Sequence, residues 1–271
     1  MDIVGTGRTA TIYDVGNGKV LKLFKSFCDK SSIENEFRFA KTAKEHGIQT
    51  PEAYSLVEDD RGVGIYYDRL EGIDLGASLG KNVFRIKSLA QNAASLLWSI
   101  HQIEDKSAND WRKAFSSRLE TVKQLNDVDK GLIADYIQSL PKGCKLCHGD
   151  LHVENYLYDG DRLSVIDWMG AHYGHPAGDV ARVVLLMSSP VIAAEAGIFE
   201  RIIVKRILGL YNRAYIHSYL ELSDMNYEQI EAFRLPVAAL RLAEEVPYEE
   251  EWLKSIIGQE IKRRHLLVEE D

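Results

Sequence analysis

The sequence predicts an α+β chain in two lobes, a small β-rich N-terminal lobe over 1–70 and a larger helical lobe over 71–271. Two patterns carry that prediction. Before residue 70, short β-rich runs are separated by turn-forming residues. From Phe84 onward, apolar residues recur three and four apart, the spacing of one helix face. A third observation places the interest of the chain. The helical part is broken by three short β-like pieces, Lys145–Cys147, Tyr156–Tyr158 and Leu163–Ile166, set around unusually polar loops.

In order, strands are expected over Thr11–Val15, Val20–Phe24, Ala53–Val57 and Val63–Tyr67, with turns at Gly16-Asn17-Gly18 and Asp59-Asp60-Arg61-Gly62. Between the second and third, Ser31-Ser32-Ile33-Glu34 has the Ser-x-x-Glu form of a helix start. That helix runs to about Glu45, with Phe37, Ala40 and Ala43 as its apolar positions, and Gly47 closes it. The join between lobes is expected near Arg69–Gly72. Ile86, Leu89, Ala93, Leu96, Leu97 and Ile100 line the next helix, and further helices are expected at about 110–125, 128–139, 176–187, 193–218, 226–243 and 249–266. Glu249-Glu250-Glu251 and Glu269-Glu270-Asp271 read as solvated helix ends or tails.

The chain has 271 residues, 45% of them hydrophobic and 27% charged, enough apolar side chains for a sizeable core. Its formal net charge of −8 argues against nucleic acid as a principal partner, since a phosphate backbone selects basic surface. The first residues, MDIVGTGRTA, lack the apolar core of a signal peptide, and no run approaches a membrane span. A cytoplasmic protein with no membrane partner is expected. The three cysteines Cys28, Cys144 and Cys147 fit unpaired thiols of a reducing compartment.

The most specific segment is Cys147-His148-Gly149-Asp150-Leu151-His152-Val153-Glu154-Asn155, followed by Ile166-Asp167-Trp168. One loop offers a carboxylate, Asp150, and an amide, Asn155. A second carboxylate, Asp167, ends the strand that follows. The turn Asp159-Gly160-Asp161 lets that hairpin fold back and bring Asp167 beside the Asp150 loop. Magnesium takes oxygen ligands and keeps waters and substrate phosphates in its shell, so one or two carboxylates and an amide oxygen suffice. Asp150 is then left to accept the proton of an attacking hydroxyl.

The run HGDLHxxN followed by IDW resembles the catalytic and metal loops of the aminoglycoside phosphotransferase and choline kinase superfamily, which has the bilobal protein-kinase-like fold. The resemblance implies Asp150 as catalytic base and Asn155 and Asp167 as magnesium ligands. Two positions depart from the pattern. Val153-Glu154 stands where the family has Pro-Gly, and Trp168 stands where protein kinases have Phe-Gly. The resemblance reaches the N-terminus. Gly5-Thr6-Gly7-Arg8-Thr9-Ala10 is similar to a glycine hairpin over nucleotide phosphates, with Gly5 and Gly7 as its glycines and Ala10 in place of a third. Val20-Leu21-Lys22-Leu23 is similar to the strand whose lysine meets the α and β phosphates. Glu36 is then the helical partner of Lys22, in preference to Glu34. Tyr66–Gly72 resembles the hinge, with Asp68 and Leu70 supplying backbone groups to the adenine edge. Asp179 is implied as an anchor of the catalytic loop.

The implied function is transfer of the γ-phosphate of ATP, or of GTP, with Mg2+, to a hydroxyl of a small molecule such as an aminoglycoside, choline or a sugar. Two alternatives stand beside it. His148, Asp150, His152, Asp167, His172 and His175 have the donor types of a metal-dependent hydrolase. A catalytically silent nucleotide-binding protein, a pseudokinase, would share the fold. His148 is read as a hydrogen-bonding shaper of its loop, and His101 as a packing and capping residue.

Overall fold

The structure is a computed structural model that describes residues 1–193 and 197–268. By contact the chain forms two compact units. The first joins Met1–Lys81 to His148–His172, and the second joins Asn82–Cys147 to Tyr173–Asp271.

The first unit is built on an antiparallel five-stranded sheet. Its strands are β1 (Asp2–Thr6), β2 (Ala10–Gly16), β3 (Lys19–Phe24), β4 (Ala53–Asp59) and β5 (Gly62–Asp68), in the order β1-β2-β3-β5-β4. Four of them are the expected strands, each longer by one or two residues. β1 was not expected as a strand, because Ile3 and Val4 remain exposed and only hydrogen bonding to β2 marks it. In the β3–β5 register, Val20 pairs with Tyr67 and Lys22 with Ile65. Opposed residues share a face, so Lys22 and Tyr67 lie on the same side of the sheet.

Helix α1 (Lys30–Glu45) packs against β4 and β5. Its start corrects the expected Ser-x-x-Glu cap. Asp29 is the cap, accepting from the backbone N–H of Ser32 at 2.8 Å and from the hydroxyls of Ser31 and Ser32. A carboxylate with three donors outcompetes a serine hydroxyl, and those bonds hold its pKa down at about 2. The buried face of α1 is Ile33, Glu36, Phe39, Ala40 and Ala43; Phe37 is only half-buried. A charged residue on a buried face is the first local sign of a site.

After β5 come β6 (Ile73–Asp74) and α2 (Leu75–Lys81). β6 pairs with β8 (Tyr156–Tyr158), which forms the expected hairpin with β9 (Leu163–Val165). Gln49 carbonyl accepts from Val165 N–H at 2.7 Å, which ties this small sheet to the segment leaving α1.

The second unit is helical. It contains α3 (Ile86–Ile100), α4 (Trp111–Glu120), α5 (Asp127–Ser139), α6 (Pro176–Met187), α7 (Ile198–Leu222), α8 (Tyr227–Ala232), α9 (Arg234–Leu242) and α10 (Glu250–Val268), with the short strand β7 (Lys145–Cys147). α3 packs along α7, on which Tyr211, Tyr215 and Tyr219 are buried. The helix expected over 193–218 begins at Ile198, and residues 194–196 lie outside the described residues.

The helix expected over 226–243 is two helices. Pro236 has no N–H for the carbonyl of Ala232, and that carbonyl accepts the Tyr136 hydroxyl at 2.8 Å instead. The reading of Glu249 as solvated is also corrected. It is 1% exposed, takes Arg241 Nε at 2.6 Å and bonds Ser189. Glu250 and Glu251 are exposed, and Glu269-Glu270-Asp271 lies outside the described residues. The three cysteines are free thiols. No helix among the described residues is long and apolar enough to cross a membrane.

Candidate active site

Every residue singled out for nucleotide, metal or proton transfer falls in the first unit. Its centre is Lys22. The ammonium donates to Glu36 Oε1 at 2.6 Å and to Asp167 Oδ1 at 3.1 Å. β3, α1 and the loop after β9 thus each place one charged side chain on a common point. Glu34, the competitor for Glu36, is exposed on the other side of the helix. Burial pulls the Lys22 pKa down, but two carboxylates at contact distance outweigh it and hold the ammonium above the ordinary lysine value.

Glu36 is 1% exposed, and burial pushes its carboxyl up to about 6 against the pull of Lys22. The Tyr67 hydroxyl donates to the same Oε1 at 3.0 Å, while Oε2 is buried with no partner. The sequence placed Tyr67 in the hinge segment and not beside Lys22 and Glu36. The signal was available in strand alternation, which puts it on the Lys22 face.

Asp167 has a backbone of φ 68° and ψ 72°, the left-handed region that a non-glycine side chain adopts at a cost. Its burial raises the carboxyl pKa, and Lys22 more than reverses that, leaving it below the usual aspartate value. The carboxylate therefore stays ionised near neutrality and a third exposed. Asn155 donates from Nδ2 to the Asp150 carbonyl at 2.8 Å, which fixes the amide and turns its oxygen the other way. Its backbone accepts Ile166 N–H at 3.0 Å, joining the Asn155 turn to the residue before Asp167. Two oxygen donors on linked turns, one anionic, have the chemistry of a magnesium site.

The Asp150 loop is shaped by its neighbours. Gly149 has φ 80°, and a Cβ there would lie 2.2 Å from the Gly170 carbonyl oxygen, so only glycine fits. His148 is fully buried, with Nε2 at 3.1 Å from the Ile166 carbonyl and its ring 4.8 Å from that of Trp168. That is the loop-shaping role expected of it. The Asp150 carboxylate is about a third exposed, with His152 Nδ1 at 3.9 Å. Burial draws the His152 ring pKa down, and Glu154 and Asp150 together bring it above the usual value.

The glycine loop is a β1–β2 turn closed by Gly7 N–H to the Ala10 carbonyl at 2.9 Å and tethered by Lys25 Nζ to the Gly7 carbonyl at 2.9 Å. Neither Gly5 nor Gly7 has positive φ, and a Cβ at either would meet nothing closer than 3.5 Å. The fold itself does not demand glycine there. In the hinge segment, Asp68 spends its carboxylate on Tyr54 Oη at 2.6 Å and Glu52 N–H, and Leu70 follows two residues beyond the end of β5.

The hydrolase donor set does not assemble. Among the described residues, the one group of three His, Cys, Asp or Glu side chains with ligand atoms within 4.8 Å of one another is His101, Cys147 and Asp179, in the second unit. His101 is spent there on Tyr219 Oη at 2.5 Å and Asp179 Oδ2 at 3.2 Å. His172 and His175 bond local backbone, His175 as the cap of α6.

The chain has the kinase-like α+β fold, and its family match makes it a phosphotransferase of the small-molecule kinase class. The chain belongs to the phosphotransferase enzyme family (APH), whose model matches residues 3–222. Among solved structures, it is similar to an apo thermostable mutant of aminoglycoside phosphotransferase APH(4)-Ia, at 16% identity and TM-score 0.65 over 97% of this chain and 94% of that one. It is similar to amicoumacin kinase hAmiN in complex with AMP-PNP, Ca2+ and Ami, at 16% identity and TM-score 0.62 over 97% and 88%. A choline/ethanolamine kinase family protein from Mesorhizobium loti aligns at 14% identity and TM-score 0.59 over 99% and 87%. At these identities the likeness is one of fold. No curated protein sequence matches the chain.

Proposed function

We propose that this chain is a cytoplasmic ATP- and Mg2+-dependent kinase that phosphorylates a hydroxyl of a small molecule. The observation that carries the reading is the Lys22 ammonium held between Glu36 and Asp167. Buried charged groups of this kind collect at functional sites, and a metal ion on Asp167 would leave the ammonium to meet a ligand that carries negative charge. Nucleotide phosphates are such a ligand, and the glycines at positions 5 and 7, which the fold does not require, leave their backbone open to close approach.

In the proposed reaction Glu36 orients Lys22 toward the α and β phosphates, and Asp68 and Leu70 present main-chain groups to the base. Asn155 and Asp167 hold the magnesium ions, which supply charge neutralisation to the phosphates. Asp150 takes the proton of the acceptor hydroxyl as the hydroxyl oxygen bonds the γ-phosphorus and the bond from that phosphorus to the bridging oxygen of the departing nucleoside diphosphate breaks. Positioning and electrostatics do most of the work in such a transfer. GTP fits the same description as ATP. The fold leaves the acceptor open; the relatives' names suggest aminoglycosides, amicoumacin and choline or ethanolamine as first choices.

The test is Mg2+-dependent ATP or GTP consumption against a panel of such hydroxyl compounds, with Asp150→Asn as control. Loss of a general base predicts that kcat falls at least about 100-fold with nucleotide affinity kept. Full turnover by that variant would remove Asp150 from its role. Failure of the wild type to bind either nucleotide would remove the reading itself.

A further inference from the structure

We propose that Thr50 is a positioning residue that holds the metal aspartate Asp167 in its left-handed backbone conformation, an inference that rests on the phosphotransfer reading above for its consequence in metal binding. Asp167 lies between two tethers. The residue after it, Trp168, is 1% exposed and donates its indole N–H to Thr50 Oγ1 at 2.9 Å. The residue two before it, Val165, has its carbonyl bonded by the same hydroxyl at 2.8 Å and its N–H bonded to the Gln49 carbonyl at 2.7 Å. One hydroxyl therefore accepts from one side of Asp167 and donates to the other, which uses both capacities of the group.

Thr50 is 2% exposed, and Lys44 Nζ bonds its carbonyl at 2.9 Å, so the anchor is itself fixed. The middle of the clamp is closed as well. Ile166 N–H goes to the Asn155 carbonyl and the Ile166 carbonyl to His148 Nε2, at 3.0 and 3.1 Å. A left-handed aspartate persists only where its surroundings over-determine it. Here the main chain before Asp167 and the Trp168 side chain after it are both held, which restricts the direction of the Asp167 Cα–Cβ bond, and its carboxylate meets Lys22. Protein kinases carry phenylalanine where this chain has Trp168, and phenylalanine has no N–H to give. The indole and the threonine are thus a matched pair whose bonds reach the metal ligand only through the main chain.

Thr50→Val keeps the volume and removes both bonds, and Thr50→Ser keeps both bonds and removes a methyl. The first measurement is amide hydrogen exchange of the metal-free, nucleotide-free chain. In Thr50→Val, exchange over 166–170 is expected to rise at least about tenfold, with β2 and β3 unchanged, because a local opening replaces a pinned one. Thr50→Ser is expected to match the wild type. The second is Mn2+ affinity in the presence of a non-hydrolysable ATP analogue. Support groups behind a metal ligand typically change affinity by about 10–100-fold, so Thr50→Val is expected to weaken Mn2+ by at least about tenfold while metal-free nucleotide affinity holds.

Equal exchange in Thr50→Val and wild type, a rise spread evenly over the chain, or a Thr50→Ser as impaired as Thr50→Val would each overturn the proposal. If Thr50→Val does not fold, Trp168→Phe removes the indole bond together with part of the buried ring, leaves the bond from Thr50 to Val165, and must still raise exchange over 166–170; no rise overturns the proposal. A wild type that binds no metal–nucleotide complex would refute the phosphotransfer reading, and the exchange pattern would still decide the clamp.

Discussion

Tyr67 and Glu36 show how a single hydrogen bond inside the site trades against charge. Glu36 Oε1 accepts from both Lys22 and Tyr67, while Oε2 has no partner. Tyr67→Phe leaves the buried carboxylate with Lys22 alone. A hydrogen bond to a charged group is worth about 2 kcal/mol, and that loss is expected in urea unfolding at neutral pH. Its pH dependence has a definite sign. The Glu36 pKa is raised from 4.5 to about 6, so the folded chain takes up this proton more readily than the unfolded chain. Stability from this group is therefore greatest at low pH and falls as pH rises through that window. Near pH 5 the folded-state carboxyl is largely protonated and needs the phenol less. The deficit of Tyr67→Phe is expected to be larger near pH 7.5 than near pH 5, and equal deficits would mean that the phenol does not stabilise the charged form.

Individual elements were legible where their pattern is local. Four strands of the sheet and the β8–β9 hairpin could be placed from alternation and turns. Lys22 and Glu36 were named through the family resemblance of the strand and helix that carry them, two elements adjacent in sequence. What escaped was set by competition or by distance. The α1 cap passed from Ser31 to Asp29 because a carboxylate gathers three donors at once. Glu249 escaped because its partner Arg241 lies across a helix junction. Thr50 escaped because its hydroxyl bonds residues 115 and 118 positions away, and no local pattern marks such a bond. The cap carries its own expectation. Asp29→Ala should cost about 1 kcal/mol at neutral pH, since the site is exposed and solvent-screened. Asp29 titrates below its unfolded value, at about 2 against 3.8, so its stabilisation is present above about pH 4 and lost as pH falls toward 2. The gap in melting temperature between wild type and variant should therefore shrink on going from pH 7 to pH 3. A gap that stays constant would assign the effect of Asp29 to something other than its charge.

At the scale of the whole molecule, contact grouping departs from chain order, and this has a consequence for folding. His148–His172 belongs with Met1–Lys81 although 66 residues, 82–147, intervene. The bonds that join the two pieces are not decorative. Thr50 meets Val165 and Trp168, Gln49 meets Val165, Asn35 Nδ2 meets the Ala171 carbonyl at 2.9 Å, and β6 pairs with β8. Lys22 also loses one of its two carboxylates when the second piece is absent. A piece the size of Met1–Lys81 buries only about 60% of the surface its unfolded chain exposes, which leaves little margin for orphaned polar groups. Met1–Lys81 alone is therefore expected to show no cooperative thermal transition by circular dichroism. The same piece joined to His148–His172 through a flexible linker is expected to regain one, because the polar partners of Asn35, Gln49 and Thr50 return together with the buried indole of Trp168. Cooperative melting of Met1–Lys81 by itself, near the temperature of the joined chain, would show that the sheet and α1 suffice. In that case the loops bearing Asp150 and Asp167 would be passengers on the β-rich unit instead of part of its core.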